Sequence, residues 1–592
     1  MKKRVADIVV ETLLDCGVTD CFTVVGGGAM HLNNAFGMNK AMAQTFCHHE
    51  QACAFAAEGY AKYSGKMAAV SVTSGPGGVN ALNGVYSAYV DNAPMIVIAG
   101  HPRYDTTIEA CGLNLRARGV QEFNIIPALK DMTKYAVMLK DPNMAKYEVQ
   151  KACFIAMEGR RGPVWISIPL DVQAKMVKEE DLPVFVANEK IKIDMQQIRD
   201  VINDLKTAHR PCILTGSGIR TSAAINKFYK FTTKVKVPIV GGALLPDILP
   251  EDYPLYYGMS GNVGPRAGNF ILQNADYILV LANSLSNRQT GYNVEKFAPN
   301  ASITMVDISP DEGKKPGLHI NKQIICDVGD FFDLIDAELN YEIQSESTWT
   351  AYCKKCYDTL KSFDMPSPKK NDRIPLKYFW KVFRELIPNN ALIALGNSNC
   401  VCGIFQLGVK NKEQRVITNY NAGSMGYDLP EAEGIAKASG KTVYCVTGDG
   451  SIMMNLQELE TIKYNDFPIK VVIFSNDGYG AIRQTNKNYF NGVYYGCDNE
   501  SGIDFPNFSD VAKTFGFEYF HCKRVKELEE RINEFISYDG RAILEIDQEL
   551  DDVIYPKIIS KLKEDGTFET PSLTDMFPYL DEKIMEELRL KN

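Results

Sequence analysis

No apolar run in the 592-residue chain approaches the roughly 20 residues that cross a bilayer, which excludes a helical membrane span. Positive charge is not in excess: 64 Lys and Arg face 73 Asp and Glu, leaving a formal charge of −9. A nucleic-acid footprint needs a basic stripe, so that class is excluded. No GxxxxGK[ST] P-loop occurs, and the Gly-rich turn VVGGGAM (24–30) is not GxGxxG. The 15 cysteines lack framework spacing. In a chain of this length they read as reduced thiols in a reducing, cytoplasmic compartment. Cys353 and Cys356 form a CxxC and Cys400 and Cys402 a CxC, but neither has the second pair that zinc requires. At the N-terminus, Asp7, Glu11 and Asp15 interrupt any signal-peptide core, and the stretch reads as an amphipathic helix.

What is present is alternation. CFTVV, KMAAVSVT, PMIVIAG and GPVWISIPL are short apolar runs separated by helical segments, the mark of βαβ units and a parallel sheet. The pattern repeats with PCILTGSG, VPIVGGA, YILVLANS and SITMVDIS, and again with ALIALGNS, RVITNY, TVYCVTGDG, KVVIFSND and AILEIDQ. The expected fold is α/β, with three consecutive doubly wound parallel-sheet domains at residues 1–180, 190–345 and 372–550 and a tail over 551–592. A charged, Pro-containing stretch (172–193) and a polar one (346–373) read as linkers. Strand ends carry Gly, Ser, Asn and Asp, and ligands of open parallel sheets sit at those ends.

The most informative stretch is GDGSIMMNLQELETIKYNDFPIKVVIFSNDGYG (448–480). Asp449 and Asn476 each close an apolar strand, offering a carboxylate and an amide oxygen to one hard cation such as Mg²⁺. Gly450 and Ser451 open a helix whose free N–H groups suit phosphate. One carboxylate is too little charge for an all-protein cage, so a diphosphate is the natural third party. GDG alone is commonly just a capped strand–helix turn; the matching Asn476 is what argues against that reading.

This pattern resembles the thiamine diphosphate fingerprint, and the resemblance extends along the chain to the acetolactate synthase-like branch of that superfamily. HHEQACAFAAEGYAKYSGK and VSVTSGPGGVNALNGVYSAYVDNAPMIVIAG resemble its pyrimidine-binding domain. YYGMSGNVGPRAGNFILQNADYILVLANSLSNRQTGY resembles the central domain, and NYNAGSMGYDLPEAEGIAKASGKTVYCVTGDG the diphosphate-binding domain. The resemblance implies Asp449, Asn476 and the Gly478 carbonyl as Mg²⁺ ligands. It implies Gly396, Asn397, Ser398, Asn399, Gly448, Gly450 and Ser451 around the diphosphate. Met425 would wedge under the thiazolium, the Gly423 carbonyl would accept from the aminopyrimidine, and Glu50 would contact the pyrimidine nitrogen. A helix-start acid favoured by the macrodipole is the plainer reading of Glu50.

Gln121 and Glu122 match a pair lining the reaction side, and His31 is a candidate at the glycine-rich turn. His48 reads as a packed or surface imidazole and His49 as support for the helix bearing Glu50. Because Glu50 and Asp449 lie on different domains, the family arrangement puts the cofactor between subunits, so a homodimer is the minimum and a homotetramer the expectation.

Three departures from acetolactate synthases stand out: Val25-Gly26-Gly27 for Pro-Gly-Gly, Val120 for an aromatic, and Thr485 for a tryptophan. The last enlarges the acceptor side. The central domain leaves FAD or ADP as candidates through Gly258–Gly261, Arg288 and Thr290-Gly291. The expected activity is decarboxylation of a 2-oxo acid, most simply pyruvate, with carboligation to a carbonyl acceptor. A decarboxylase releasing an aldehyde, a keto-sugar carboligase and a non-enzymatic cofactor-binding relative are the alternatives.

Overall fold

A computed structural model describes residues 2–187, 193–243, 245–563 and 565–590. Three six-stranded sheets follow one another, and every strand pair within them is parallel. The first contains β1 (Asp20–Thr23), β2 (Ala43–Phe46), β3 (Ala68–Val72), β4 (Met95–His101), β5 (Tyr135–Met138) and β6 (Val164–Pro169), in the order β2-β1-β3-β4-β6-β5. The second contains β7 (Pro211–Thr215), β8 (Ile239–Gly241), β9 (Tyr256–Met259), β10 (Tyr277–Leu281), β11 (Ser302–Asp307) and β12 (Lys322–Ile325), in the order β9-β8-β7-β10-β11-β12. The third contains β13 (Leu392–Leu395), β14 (Arg415–Thr418), β15 (Val443–Gly448), β16 (Ile469–Ser475), β17 (Glu518–Cys522) and β18 (Ala542–Asp547), ordered β14-β13-β15-β16-β18-β17.

The outer sheets therefore share one topology, and the middle sheet has the order of dinucleotide-binding folds. The sequence accounts for this. The central strand β16, IKVVIFS, is buried at every position, as a parallel strand covered on both faces must be.

Six helices matter below: α1 (Val5–Asp15), α2 (Glu50–Ser64), α3 (Pro76–Val90), α4 (Arg266–Asn274), α5 (Asp428–Ser439) and α6 (Gly480–Tyr489). Helix α1 is the amphipathic N-terminal helix, with Val5, Ile8, Val9 and Leu13 buried. Helix α2 is unusual in burying small residues along most of its length, among them Ala52, Ala54, Ala56, Ala57 and Gly59. It crosses α5 so closely that a Cβ on Gly59 would lie 2.4 Å from the Glu431 carbonyl, and one on Gly434 would lie 1.9 Å from that of Ala56. This crossing joins the first sheet's layer to the third's.

The polar stretch after the second sheet is not an extended connector. Ser347–Leu360 is a helix whose Trp349, Cys353, Cys356 and Leu360 are buried. Its CxxC thiols serve as core residues, and burial pushes Cys356 up to about 11. Part of the first expected linker (188–192) lies outside the described residues. The tail returns to α4, where Arg266 donates to the carbonyls of Met576 (3.0 Å) and Pro578 (2.6 Å). Among the described residues no helix is long and apolar enough to cross a membrane.

Candidate active site

In the first sheet the strand order reverses between β1 and β3, which opens a crevice at their carboxyl ends. The turn Gly26–Gly28, the Thr73–Gly75 turn and the start of α2 all reach it. Gly28 N–H donates to Thr73 Oγ1 (3.1 Å), and Gln173 Nε2 donates to the Gly28 carbonyl (2.9 Å). His49 caps α2: its Nδ1 accepts from Gln51 N–H at 3.1 Å, so this imidazole supports the helix start, while His48 is exposed. Glu50 follows the cap and is 8% exposed. Its Oε2 accepts from Asn80 Nδ2 (3.0 Å), and Oε1 has no hydrogen-bond partner among the described residues. Gly77 keeps that oxygen accessible, since a Cβ there would come within 3.2 Å of it.

Gly75 has φ +59, and a Cβ would sit 2.4 Å from the Gln121 carbonyl, so glycine is required at this contact. Gln121 is exposed and also has positive φ (55°), the kind of strained placement that gathers at functional sites. Glu122 plays a different part. Burial alone would raise its carboxyl, but N–H groups of Gly119 (2.8 Å), Ile108 (2.6 Å) and Arg118 (2.9 Å) outweigh this and hold it below its usual value. A carboxylate engaged this way orders the 108–122 loop that presents Gln121. His31 lies just past the turn on the helix Met30–Met38. Burial, then Arg4, lowers its basicity, with Asp7 opposing.

In the third sheet the order reverses between β13 and β15. Gly396–Asn399 follows β13, Gly448–Ser451 closes β15, and Asn476–Gly478 follows β16. Asp449 is 3% exposed. Its Oδ1 accepts from Gly450 N–H (2.8 Å), and its Oδ2 from Asn476 N–H (2.9 Å) and Gly478 N–H (3.3 Å). Burial nevertheless prevails over these bonds and pushes its carboxyl up to about 6. Asn476 donates its Nδ2 to Gln548 Oε1 (3.2 Å), which leaves Asn476 Oδ1 buried with no hydrogen-bond partner among the described residues. An orphaned amide oxygen beside a carboxylate lacking a counter-charge is a donor set that suits a hard divalent cation.

The surroundings hold this corner rigid. Arg483, 8% exposed, donates to the carbonyls of Asn476 (2.7 Å), Asp477 (3.2 Å) and Leu550 (3.1 Å). Tyr479 packs on Gly450, where a Cβ would lie 2.2 Å from its ring. Ser451 Oγ donates to Asp428 Oδ2 (2.7 Å) and accepts from Gly426 N–H (2.9 Å), tying the GDG turn to the loop that carries Met425. Ser398 (φ 58°) and Asp477 (φ 59°) are non-glycine residues in the left-handed region. Their strain sits at two of the three strand ends named above.

Neighbours of the two groups tie the first- and third-sheet layers together. Ser424 Oγ donates to Asn83 Oδ1 (3.0 Å), Asn455 Nδ2 to Gln51 Oε1 (3.4 Å), and His48 N–H to Glu458 Oε1 (3.0 Å). Glu50 itself makes no hydrogen bond to the third-sheet group among the described residues. The Gly423 carbonyl is engaged by Asn397 Nδ2 (2.9 Å). Sequence reasoning missed Asn80, Asp428 and Gln548. Asp428 had a local signal, an acid directly after the Gly426-Tyr427 turn; Asn80 and Gln548 act across the fold and had none.

Three family models match: "Thiamine pyrophosphate enzyme, N-terminal TPP binding domain" over residues 3–123, the corresponding central domain over 198–335, and the C-terminal TPP binding domain over 398–546. The chain belongs to the thiamine pyrophosphate (thiamine diphosphate) enzymes and is an enzyme dependent on that cofactor. Among individual proteins it is similar to acetolactate synthase 1, chloroplastic, of Zea mays, with 29% identity over 558 residues, 92% of this chain and 85% of that protein. Acetolactate synthase isozyme 1 large subunit of Escherichia coli (strain K12) is 27% identical over 560 residues, 93% of this chain and 95% of that protein. The acetolactate synthase large subunit of Lactococcus lactis is 28% identical over 569 residues, 95% of each.

Proposed function

We propose that the protein is an acetolactate synthase-like carboligase that decarboxylates pyruvate and joins the remaining two-carbon unit to a carbonyl acceptor. The near full-length likeness to acetolactate synthases supports this, and the orphaned Asn476 Oδ1 beside Asp449 is the structural observation that carries it. Thiamine diphosphate, when bound, supplies the carbanion and the electron sink that decarboxylation needs. Asp449, Asn476 and the Gly478 carbonyl would hold Mg²⁺. Gly396–Asn399, Gly448, Gly450 and Ser451 would receive the diphosphate.

Glu50, with Oε2 held by Asn80, would present Oε1 to the pyrimidine nitrogen and hold or release a proton there. Met425 would support the thiazolium, and the Gly423 carbonyl, once free of Asn397, would accept from the aminopyrimidine. Gln121 and His31 are placed at the turns around the first-sheet crevice, where a substrate would approach.

The acceptor is read as a second pyruvate. A larger carbonyl acceptor, such as a keto sugar, is the second reading. It is favoured by Thr485, exposed on α6, whose hydroxyl is turned back to the Ala481 carbonyl (3.0 Å) and builds no wall.

A homodimer, extending to a homotetramer, would place Glu50 of one chain opposite Asp449 of the other. Support comes from Val79, Tyr86 and Tyr89, spaced along one face of α3 and 44%, 42% and 38% exposed. FAD or ADP would lie in the β7/β10 crevice, with Gly216, Ser217 and Ser284, a reading supported by the dinucleotide-type order of the second sheet. All 15 cysteines are free, which fits the cytoplasm.

The test is Glu50→Gln in protein loaded with thiamine diphosphate and Mg²⁺. The expected result is a loss of turnover of roughly 10²-fold or more, the scale of a lost proton-transfer group, with cofactor still bound. Unchanged turnover contradicts the assignment.

A further inference from the structure

We infer that the cavity where the three sheet layers meet is a binding site for an organic oxyanion, a phosphate monoester or carboxylate carried on an apolar body. The cavity holds about 250 Å³, room for a small ligand with one ring and one charged headgroup. It lies away from Glu50 and Asp449. Its walls come from the far end of α2 and the end of α3 (Ala61–Gly65, Asp91–Pro94), from the second layer (Ser217, Arg220, Leu245, Asp247), and from β14 with the residues after it (Arg415–Asn421).

Charge is the reason for the assignment. Three guanidinium groups, Arg161, Arg220 and Arg415, line the cavity together with Lys62, against two carboxylates, Asp91 and Asp247. Lys62 is fully engaged, by Glu58 (2.6 Å), Asp91 (3.0 Å), the Thr418 carbonyl (2.7 Å) and Tyr427 Oη (3.3 Å). Asp247, 1% exposed, is shared: Arg220 Nε donates to Oδ1 (3.0 Å) and Arg415 Nε to Oδ2 (2.9 Å). One carboxylate thus faces two guanidinium groups. The terminal nitrogens of Arg415 have no hydrogen-bond partner among the described residues. Arg161 bonds only the Gly65 carbonyl (3.2 Å), and its nearest acidic influence is Asp327, the residue that caps Val328–Glu338.

Burying guanidinium groups without enough counter-charge is costly. Burial, then Arg220, acts against the charged state of Arg415, with Asp247 opposing. An oxyanion satisfies these donors with charge-assisted and bidentate bonds, the geometry in which arginine excels. Beside these charges and a few hydroxyl and amide groups, much of the wall is apolar or aromatic, with Tyr63, Ile225, Leu245, Val416, Ile417 and Tyr420. That calls for a ligand with an apolar body, not a bare ion. The Arg220–Asp247–Arg415 cluster sets the site apart from the neighbouring crevice between β7 and β10, although Asn92, Arg161, Ser217, Thr221 and Asn421 border both cavities.

Calorimetric titration of the full-length, cofactor-loaded protein tests this, with phenyl phosphate, benzoate and inorganic phosphate as probes at constant ionic strength. Saturable binding of phenyl phosphate or benzoate, one per chain, is expected, and the tighter of the two identifies the headgroup. Arg161→Gln is expected to weaken it by about tenfold or more, since a hydrogen bond to a charged group is worth roughly that much, and Arg161→Lys to restore part of the loss. Arg161 holds only one backbone carbonyl, so the variant should fold. Absence of saturable binding by both organic probes overturns the assignment. So does equal affinity for inorganic phosphate, or a Gln variant that binds as the parent does and is competed only by ADP.

Discussion

Replacing Gly434 by alanine tests how the first-sheet and third-sheet layers are held together. The added Cβ would lie 1.9 Å from the Ala56 carbonyl oxygen, 2.7 Å from Tyr60 N and 2.8 Å from Ala56 C. A carbon–oxygen contact settles near roughly 3.3 Å, so α2 and α5 must part by about 1.4 Å, the difference from 1.9 Å. All three obstacles are backbone, so no rotamer change relieves them. Overpacking a core costs typically ~1–3 kcal/mol, and this clash belongs at the upper end. Alanine recovers up to ~1 kcal/mol through helix propensity, leaving a net destabilisation of about 2 kcal/mol. Because α2 begins with Glu50 and α5 follows the Met425 loop, the parting should also weaken cofactor binding. The assay is the first thermal unfolding transition together with thiamine diphosphate affinity. Gly37→Ala is the control, since nothing lies within 4 Å of a Cβ there. A Gly434→Ala protein as stable as the control, with unchanged cofactor affinity, would mean that this crossing does not hold the two layers together.

Gln548→Leu removes the amide that orients Asn476 without touching Asp449. Mg²⁺ affinity measured by calorimetry should fall about 10–100-fold, as for other groups that hold a metal ligand in place. Asp428→Asn loosens the tie from Ser451 and Thr447, both 2.7 Å from Oδ2, and should raise KM for thiamine diphosphate more than it lowers kcat. Stability should depend on pH through Glu58, which burial pushes up to about 7 against the pull of Lys62. The folded state then binds more protons than the unfolded one, so stability falls as pH rises from about 4.5 through 7 and is level above that; Glu58→Gln should flatten this slope in urea melts. Thr485→Trp should restrict turnover to small acceptors, read as a lower rate with aldehydes or keto sugars than with pyruvate alone.

The strand ends of the site were legible because each closes an apolar run. Asp449 ends VYCVTG, Asn476 ends IKVVIFS, and Glu50 opens an alanine-rich helix. Runs of this kind are local, and so is the turn chemistry after them. What supports these groups was not legible. Gln548 and Asn80 reach their partners across 72 and 30 residues, and no spacing rule connects them. Glu122 sits beside Gln121 in sequence, yet its carboxyl is consumed by three N–H groups of its own loop. The stretch 347–360 reads as polar because its buried stripe is narrow: Trp349, Cys353, Cys356 and Leu360 repeat at helical spacing among exposed residues. Composition averages that stripe away, whereas the periodicity keeps it. The charge imbalance around Asp247 appears only once Arg220 and Arg415, from different layers, are brought together.

Carboligation is tested most directly by following ¹³C-labelled pyruvate with the protein, thiamine diphosphate and Mg²⁺, resolving products by NMR. The expected product is acetolactate, with one carbon dioxide released per ligated product. Acetaldehyde released in step with carbon dioxide, even when carbonyl acceptors are added, would contradict it.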